Sequence, residues 1–224
     1  MAAELPSIGL SEFSARLLPF APELSAAVLS RLHGHYLELQ RWNPRIGLVG
    51  PGTVSEVIER HYGESVAAIP LLDRLPGRRQ LLDLGSGGGF PGLILAVCCP
   101  RIDVVLLESR ERKAAFLRRA ATAADTTLRV VTGYLRAQLP EGVPQRLDFV
   151  TLRAVRLERA AWRTLHARLS AGGHVLQWSG PESSSPPQGF RAVGDVMPLA
   201  GGDKRVIRTW SAFSQLSTCE PDRA

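Results

Sequence analysis

Between residues 80 and 178, short apolar segments alternate with segments of helical periodicity, and this alternation constrains the fold more than any other feature. The predicted strands lie at 80–84, 103–107, 128–131, 147–152 and 174–178. The predicted helices lie at 91–99, 110–124 and 157–169. Strands joined through helices at this spacing form a parallel sheet with right-handed crossovers. The sequence therefore predicts an α/β protein with a Rossmann-like sheet.

The residues before this region are predicted to be helical. A long amphipathic helix is predicted at 23–42, because its apolar residues recur at spacings of three and four. Asn43-Pro44 is predicted to start a loop. Two shorter predicted helices follow, one from Thr53 or Ser55 to residue 62 and one at 64–75.

Two further segments, 190–196 and 205–213, are predicted to be strands that close the sheet, which would then have seven strands, most of them parallel. The predicted organisation is a helical extension at 1–75, a sheet-containing domain at 76–213 and a tail at 214–224. No internal repeat interrupts this order.

The positive charge of the chain is localised. The 224 residues carry 27 Lys and Arg against 21 Asp and Glu, and only Lys113 and Lys204 are lysines. Residues 101–168 hold 14 basic and 7 acidic side chains, whereas residues 1–79 hold 8 of each. A GC-rich coding bias would also explain the excess of arginine, but it would not explain the clustering. Because guanidinium groups bind phosphates bidentately, the cluster predicts a polyanionic partner.

Several protein classes are disfavoured by simple patterns. The longest apolar run, at 93–99, is far shorter than the roughly 18 residues of a membrane span. The N-terminal residues lack the cationic and apolar regions of a secretory signal, so a cytoplasmic location is expected. The three cysteines form neither a CxxC pair nor an even set, and no metal site is expected.

A glycine-rich loop follows the first predicted strand, with the sequence DLGSGGGFPG from Asp83 to Gly92. Glycines let the backbone turn tightly and approach a ligand, and this loop is expected at the carboxyl edge of the sheet, where such folds bind ligands. Pro91 lacks the N–H group that a helix N-terminus would offer to a pyrophosphate. Asp83 is expected to point a carboxylate into the crevice, and Glu108, at the end of the second strand, to accept hydrogen bonds from a ribose diol. This combination fits S-adenosylmethionine, which is cationic.

Two alternatives stay open at this point. Glu108 would serve the ribose of a nicotinamide cofactor equally well, so an NAD(P)-dependent oxidoreductase is the first. The second is a protein with a methyltransferase fold that binds RNA or protein without catalysis.

Several motifs resemble those of the bacterial small-subunit (16S) ribosomal RNA guanine-N7 methyltransferases, the GidB/RsmG family. The motifs in the sheet region are DLGSGGGFPGLILA, VVLLESRERKAAFLR and DFVTLRAV. The upstream motifs are LELQRWNPRIGL and VIERHYGESV. The resemblance runs from about Tyr36 to Gly180, with a weaker similarity at 204–207. It implies a class I S-adenosylmethionine-dependent methyltransferase fold and an enzyme that acts on ribosomal RNA or on the 30S particle. The protein is expected to be a monomer.

The resemblance also implies which residues contact the cofactor. Together with the glycine-loop reasoning, it gives the predicted site as Asp83, Gly85, Gly87, Phe90, Glu108, Leu135, Arg136 and Arg153. His61 stands at a position typical of the family, where it would contact the substrate or serve in packing.

Four positions depart from the family pattern. Gly47 and Val49 stand where the family usually has Asn and Thr, and Arg136 where it has an acid. Ser179 replaces the lysine of a Lys-Gly pair. These departures leave open a change in activity.

The implied reaction explains why no catalytic acid, base or nucleophile is predicted. N7 of guanine carries a lone pair, so no proton must be removed before it attacks a methyl group. Catalysis would consist mainly of positioning, with Arg153 in that role. The candidates for phosphate contact are Arg110, Arg112, Arg118, Arg119, Arg156, Arg159 and Arg163.

Overall fold

A computed structural model describes residues 4–73, 79–180, 182, 185–200 and 205–213. Within these residues the central sheet has eight strands. They are β1 (Arg79–Leu84), β2 (Ile102–Glu108), β3 (Arg129–Thr132), β4 (Leu147–Arg153), β5 (Leu169–Ser179), β6 (Phe190–Ala192), β7 (Met197–Pro198) and β8 (Val206–Ala212). The order is β3-β2-β1-β4-β5-β8-β6, and β7 pairs with β8. The first five strands run parallel, whereas β8 is antiparallel to β5, β6 and β7.

The predicted parallel sheet is confirmed, and the strand count differs by one. The additional strand, β7, is only two residues long, which is too short for a periodicity to reveal. The strand predicted at 174–178 begins earlier, at Leu169, because Leu169 already pairs with Leu147 before a shift in register.

The helices are α1 (Leu10–Leu17), α2 (Ala26–Ile46), α3 (Glu64–Val66), α4 (Ile69–Leu72), α5 (Gly92–Cys98), α6 (Glu111–Ala123) and α7 (Arg159–Arg168). Helices α1, α2, α5 and α6 contribute to the hydrophobic core on one face of the sheet, with Leu81 and Leu106 of the strands. Helix α7 packs on the other face, with Leu82 and Val105. This arrangement covers both faces of the sheet, as parallel strands require. The predicted boundaries near residues 75 and 214 lie outside the described residues.

The prediction that α2 ends before Asn43-Pro44 is wrong. Helix α2 continues through Pro44 to Ile46 and ends at Gly47, which has a φ of 60°. The Asn43 side chain accepts hydrogen bonds from the backbone N–H groups of Leu48 and Val49, both at 2.8 Å. A proline in the last turn removes one helical hydrogen bond, and these capping bonds offset the loss.

The predicted α-helix ending at residue 62 is also wrong in type. Residues Pro51–Thr53 form a 3₁₀ turn, and Ile58–Gly63 form a π-helix that leads directly into α3. Over six residues the apolar pattern does not distinguish π from α geometry, and π-helical turns are frequent at functional sites.

No helix of the described residues is long and apolar enough to cross a membrane. The same residues contain no group of three His, Cys, Asp or Glu side chains arranged to hold a metal ion.

Candidate active site

A cleft of about 510 Å³ lies at the carboxyl ends of β1, β4 and β5. The glycine loop forms one wall with Gly85, Ser86, Gly87 and Gly88, and the N-terminal helical part contributes His61 to the lining. The remaining lining residues are Leu48, Phe90, Lys113, Arg153, Ala154, Trp178, Ser179, Gly180 and Arg205. The cleft therefore lies where ligands bind in open parallel sheets.

The glycine loop has a backbone that other residues would strain. Gly85 and Gly87 have φ values of 70° and 51°, in the left-handed region. A Cβ atom on Gly85 would also come within 2.5 Å of the Val155 side chain. The Gly85 N–H donates to the Leu107 carbonyl at 2.8 Å, which ties the loop to β2. The loop thus presents a preformed concave backbone to the cleft.

His35 of α2 supports the loop from the N-terminal side. Its Nε2 lies 2.9 Å from the carbonyl oxygen of Gly88, and its Nδ1 lies 2.6 Å from the hydroxyl of Tyr62. Because a carbonyl only accepts, Nε2 carries the proton and Nδ1 accepts from the tyrosine. Burial lowers the pKa of His35 to about 4, so this neutral tautomer persists at physiological pH.

The Glu108 carboxylate also holds the loop. Its Oε2 accepts from the Gly87 N–H at 2.9 Å, and its Oε1 accepts from the Arg110 N–H at 2.9 Å. The Ser109 hydroxyl donates a longer bond of 3.3 Å to Oε1. A carboxylate has about four acceptor sites, so one site on Oε2 stays available. A second site, on Oε1, becomes available if the Ser109 hydroxyl rotates away from it. Glu108 can therefore accept from a diol without releasing the loop.

The Asp83 carboxylate does not point into the cleft as expected. The residue is 1% exposed, lies beneath the glycine loop and accepts a hydrogen bond from the Thr151 hydroxyl at 2.6 Å. A Cβ on Gly92 would come within 2.5 Å of the Asp83 Cβ, so the α5 N-terminus closes over this side chain. Burial raises the pKa of Asp83 to about 6, against the lowering effect of the Thr151 hydrogen bond. Asp83 therefore makes no direct contribution to the lining of the cleft.

We expect Asp83→Asn to stabilise the fold at pH 7. The raised pKa means that the folded state binds this proton more tightly than the unfolded state, so stability is lost as the pH rises from about 4 to about 6. The difference between an ordinary pKa near 4 and one of about 6 corresponds to about 3 kcal/mol of lost stability at pH 7. The amide cannot ionise, so Asp83→Asn would avoid this loss at pH 7, whereas at pH 4 there is little loss to avoid. Urea unfolding of both proteins at the two pH values measures this difference. An equal difference at both values would contradict the prediction.

Arg153 anchors a buried ionic cluster at the base of the cleft. Its Nη2 donates to Glu64 at 3.0 Å and to the carbonyl oxygen of Arg60 at 2.8 Å. The Arg153 and Glu64 side chains are only 10% and 3% exposed, and Arg205 forms a second ion pair with Glu64. Burial lowers the pKa of Arg153 to about 10 and raises the pKa of Glu64, although the neighbouring arginine charges oppose the latter shift.

The positive side of this cluster is turned towards the cleft. The Nη1 atom of Arg153 is buried without a hydrogen-bond partner among the described atoms, which leaves it a donor for a ligand. The next residue, Ala154, has a φ of 56°, a left-handed conformation that disfavours a non-glycine residue. Backbone strain of this kind is found at ligand-binding sites.

Phe90 and His61 lie against each other beside the glycine loop. Their ring centroids are 5.0 Å apart, and the Arg153 guanidinium lies 6.0 Å from the Phe90 centroid. His61 also forms a hydrogen bond of 2.9 Å with the Thr53 hydroxyl. Burial, with the charges of nearby arginines, lowers the pKa of His61 to about 3, so the ring is neutral. Both rings line the cleft, which leaves His61 suited to contact a substrate as well as to pack.

The cleft brings together four of the eight predicted site residues, namely Gly85, Gly87, Phe90 and Arg153. Asp83 and Glu108 do not line the cleft. Leu135 packs into the core on the α7 side, and Arg136 is exposed beside the Tyr134 ring, so neither lines the cleft.

Three of the departures from the family pattern have structural roles. Gly47 ends α2. Val49 is buried, and its backbone N–H donates a hydrogen bond to the Asn43 side chain. Ser179 lines the cleft and accepts a hydrogen bond from Arg208. Nothing in the structure explains the arginine at 136.

Sequence reasoning missed His35, Glu64, Trp178 and Arg205. Three of them contact one another although they lie far apart in the sequence. The Trp178 indole donates to the Glu64 carbonyl at 3.0 Å, and Arg205 forms an ion pair with the Glu64 side chain. Two signals were available in the sequence, because Glu64 lies within the upstream motif VIERHYGESV and Arg205 lies within the weaker similarity at 204–207. The weaker similarity at 204–207 begins at Lys204, which lies outside the described residues.

Solved structures show the fold. The structure of a mutant of MtNAS in complex with S-adenosylmethionine aligns with a TM-score of 0.57 and 16% identity, over 92% of this chain and 84% of that chain. TrmN from Thermus thermophilus aligns with a TM-score of 0.54 and 19% identity, over 70% of this chain and 53% of that chain. These neighbours support the predicted class I methyltransferase fold.

Curated sequences show the family. Ribosomal RNA small subunit methyltransferase G of Paramagnetospirillum magneticum is 42% identical over 155 residues, which cover 68% of this chain and 71% of that protein. The protein of the same name from Methylobacterium radiotolerans is 41% identical over 195 residues, covering 84% and 90%. The family model GidB, rRNA small subunit methyltransferase G, matches residues 29–186. This chain therefore belongs to the GidB family.

Proposed function

We propose that this protein transfers the methyl group of S-adenosylmethionine to N7 of a guanine in small-subunit (16S) ribosomal RNA. Membership of the GidB family carries this proposal. The cleft supports it with a glycine loop and an arginine at the end of β4, and an acid at the end of β2 holds that loop. The same membership favours methyl transfer over a nicotinamide-dependent reaction and over binding without catalysis.

The residues that would hold the cofactor follow from the cleft. Gly85 and Gly87 would let the cofactor lie against the backbone, and Glu108 would accept from the ribose hydroxyls through the acceptor sites described above. Asp83 would attract the sulfonium charge from beneath the loop, and Phe90 would pack against the cofactor. Leu135 and Arg136 remain proposed contacts on the resemblance alone.

The cofactor supplies an electrophilic methyl group, and the protein supplies position. The target guanine needs no base, because N7 has an available lone pair. Arg153, held by Glu64 and the Arg60 carbonyl, would fix the substrate in line with the methyl group. Positioning of this kind contributes roughly 7–11 kcal/mol to lowering a barrier. The neutral His61 ring would add a stacking surface for the base without placing a positive charge beside N7.

The decisive experiment is a methyl-transfer assay with tritiated cofactor. Undermethylated 30S subunits and the 16S RNA extracted from them would serve as separate substrates, and the products would be analysed as nucleosides. We expect N7-methylguanosine from at least one substrate, and labelled product of another kind, or none, would refute the proposal. Arg153→Lys is the informative variant, since it keeps the positive charge and removes the guanidinium group that contacts Glu64 and the Arg60 carbonyl.

Three further points belong to this proposal. The protein would act as a monomer in the cytoplasm, where ribosomal subunits are modified. The division into a helical region at 1–75, a methyltransferase domain at 76–213 and a tail at 214–224 also remains a prediction.

A further inference from the structure

A second, cationic groove of about 560 Å³ opens beside the cleft. The last turn of α2 forms one side of it, with Arg45, and the start of α6 forms the other, with Arg110 and Arg112. Lys113 lines both this groove and the cleft, so the two are adjacent. The N-terminal helical part and the sheet domain therefore build the groove jointly.

Cations outnumber acids in the lining of the groove, which holds Arg45, Arg110, Arg112 and Lys113 against Glu111. Among the described residues, no acidic side chain forms an ion pair with Arg45, Arg110 or Arg112. The one acid in the lining, Glu111, pairs with Arg118 at 3.3 Å. Cations gathered without counterions repel one another, and a polyanion relieves that repulsion.

Both sides of the groove are held firmly. The Asn43 side chain and Gly47 fix the end of α2, while the Glu108 carboxylate holds the Arg110 backbone at the start of α6. The two helices pack closely at Gly34, where an added Cβ would collide with the Ala123 carbonyl. The backbone positions of the three arginines are thus fixed before any ligand binds, which reduces the entropy lost on binding.

The other predicted phosphate contacts are less suited to this role. Arg118 and Arg119 lie within ion-pairing distance of Glu111 and Glu38. Arg156, Arg159 and Arg163 line a separate cavity of about 950 Å³ on the α7 side of the sheet, and this cavity shares no lining residue with the cleft. Arg159 there donates to Gln188 at 2.6 Å.

We propose that the phosphodiester backbone next to the target guanine lies in the groove formed by Arg45, Arg110 and Arg112, and that the α7 side of the protein faces away from the RNA. This inference rests on the proposed function. Each guanidinium would bind a phosphate through paired N–H donors. Lys113, between groove and cleft, would contact the phosphate closest to the base that enters the cleft.

The test compares two triple variants with the same change in charge. R45Q/R110Q/R112Q removes the groove cations, and R156Q/R159Q/R163Q removes those of the α7 side. Binding of each protein to undermethylated 16S RNA is measured over a range of salt concentrations, with cofactor affinity by calorimetry and folding by circular dichroism. We expect the groove variant to bind RNA at least about tenfold more weakly and to lose about two to three units of salt slope. The control variant should stay within about twofold of the wild type, and both should bind the cofactor normally.

The outcomes separate this inference from the proposed function. If the wild-type protein forms N7-methylguanosine and the groove variant keeps its RNA affinity and salt slope, the RNA backbone does not bind in the groove. Equal losses in both variants would also overturn the inference, because they would reflect net charge rather than a surface. A wild-type protein that transfers no methyl group to either substrate overturns the proposed function itself.

Discussion

Replacing Glu64 by alanine is expected to lower the free energy of unfolding by about 3–5 kcal/mol, the range found when one partner of a buried ion pair is removed. Glu64 is the carboxylate that faces both Arg153 and Arg205 in the cluster. Without it, two guanidiniums at the base of the cleft would repel each other, and the Arg153 charge would stay buried without a partner. Urea unfolding followed by circular dichroism measures the loss.

The matched control is Glu56→Ala. Glu56 also pairs with an arginine, Arg60, at 3.7 Å, but its side chain is 60% exposed. Surface pairs of this kind contribute about 0–1 kcal/mol, so the control should unfold close to the wild type. Glu64→Gln separates charge from shape, and we expect it to fall between the two. A Glu64→Ala protein as stable as the Glu56→Ala protein would show that the arginines find other partners or solvent.

Glu108→Ala is expected to weaken binding of S-adenosylmethionine by about 10- to 100-fold. Hydrogen bonds to a charged acceptor contribute about 1.5–3 kcal/mol, and each 1.4 kcal/mol is a factor of ten in Kd. Part of the loss would come from the protein itself, because the Gly87 and Arg110 N–H groups lose their acceptor. The structure thus gives Glu108 a role in shaping the loop besides its predicted role at the ribose. Titration calorimetry measures the affinity.

Glu108→Gln distinguishes the two contributions. The amide keeps one oxygen acceptor for the loop and loses the charge, so we expect an affinity between those of the wild type and the alanine variant. Glu111→Ala is the control, since Glu111 stands three residues further on and pairs with Arg118 on the surface. Unchanged affinity in Glu108→Ala would remove this residue from the cofactor site.

Much of the fold could be predicted because its pattern is local. Apolar runs such as 80–84 lie in strands buried on both faces, and they read as continuous hydrophobic segments. The errors fall where apolar periodicity carries no information, as at Pro44, where the Asn43 side chain and Gly47 allow α2 to continue. The π-helix at Ile58–Gly63 is a second case, because six residues carry too little periodicity to separate it from an α-helix.

Some residues of the candidate site could likewise be predicted from the sequence, and others could not. Gly85 and Glu108 are identifiable because they stand at fixed distances from strand ends, and parallel strands bring those ends to one edge. The direction of the Asp83 carboxylate was predicted wrongly, since the closeness of α5 at Gly92 and the hydroxyl of Thr151 determine it. The ionic cluster of Glu64, Arg153 and Arg205 joins residues up to 141 positions apart, counted from 64 to 205, and no spacing in the sequence indicates it.

The parallel α/β architecture, the glycine loop, the resemblance to one family and the clustering of positive charge at 101–168 all follow from the amino-acid order. Those features depend on residues close together in the chain, which is why periodicity, motifs and residue counts reveal them. Which charges act together depends on the packing of the helices on the sheet. That packing places Arg45 beside Arg110 and Arg112, and it places the arginines of α7 on the other side of the sheet, because helices α6 and α7 pack on opposite faces.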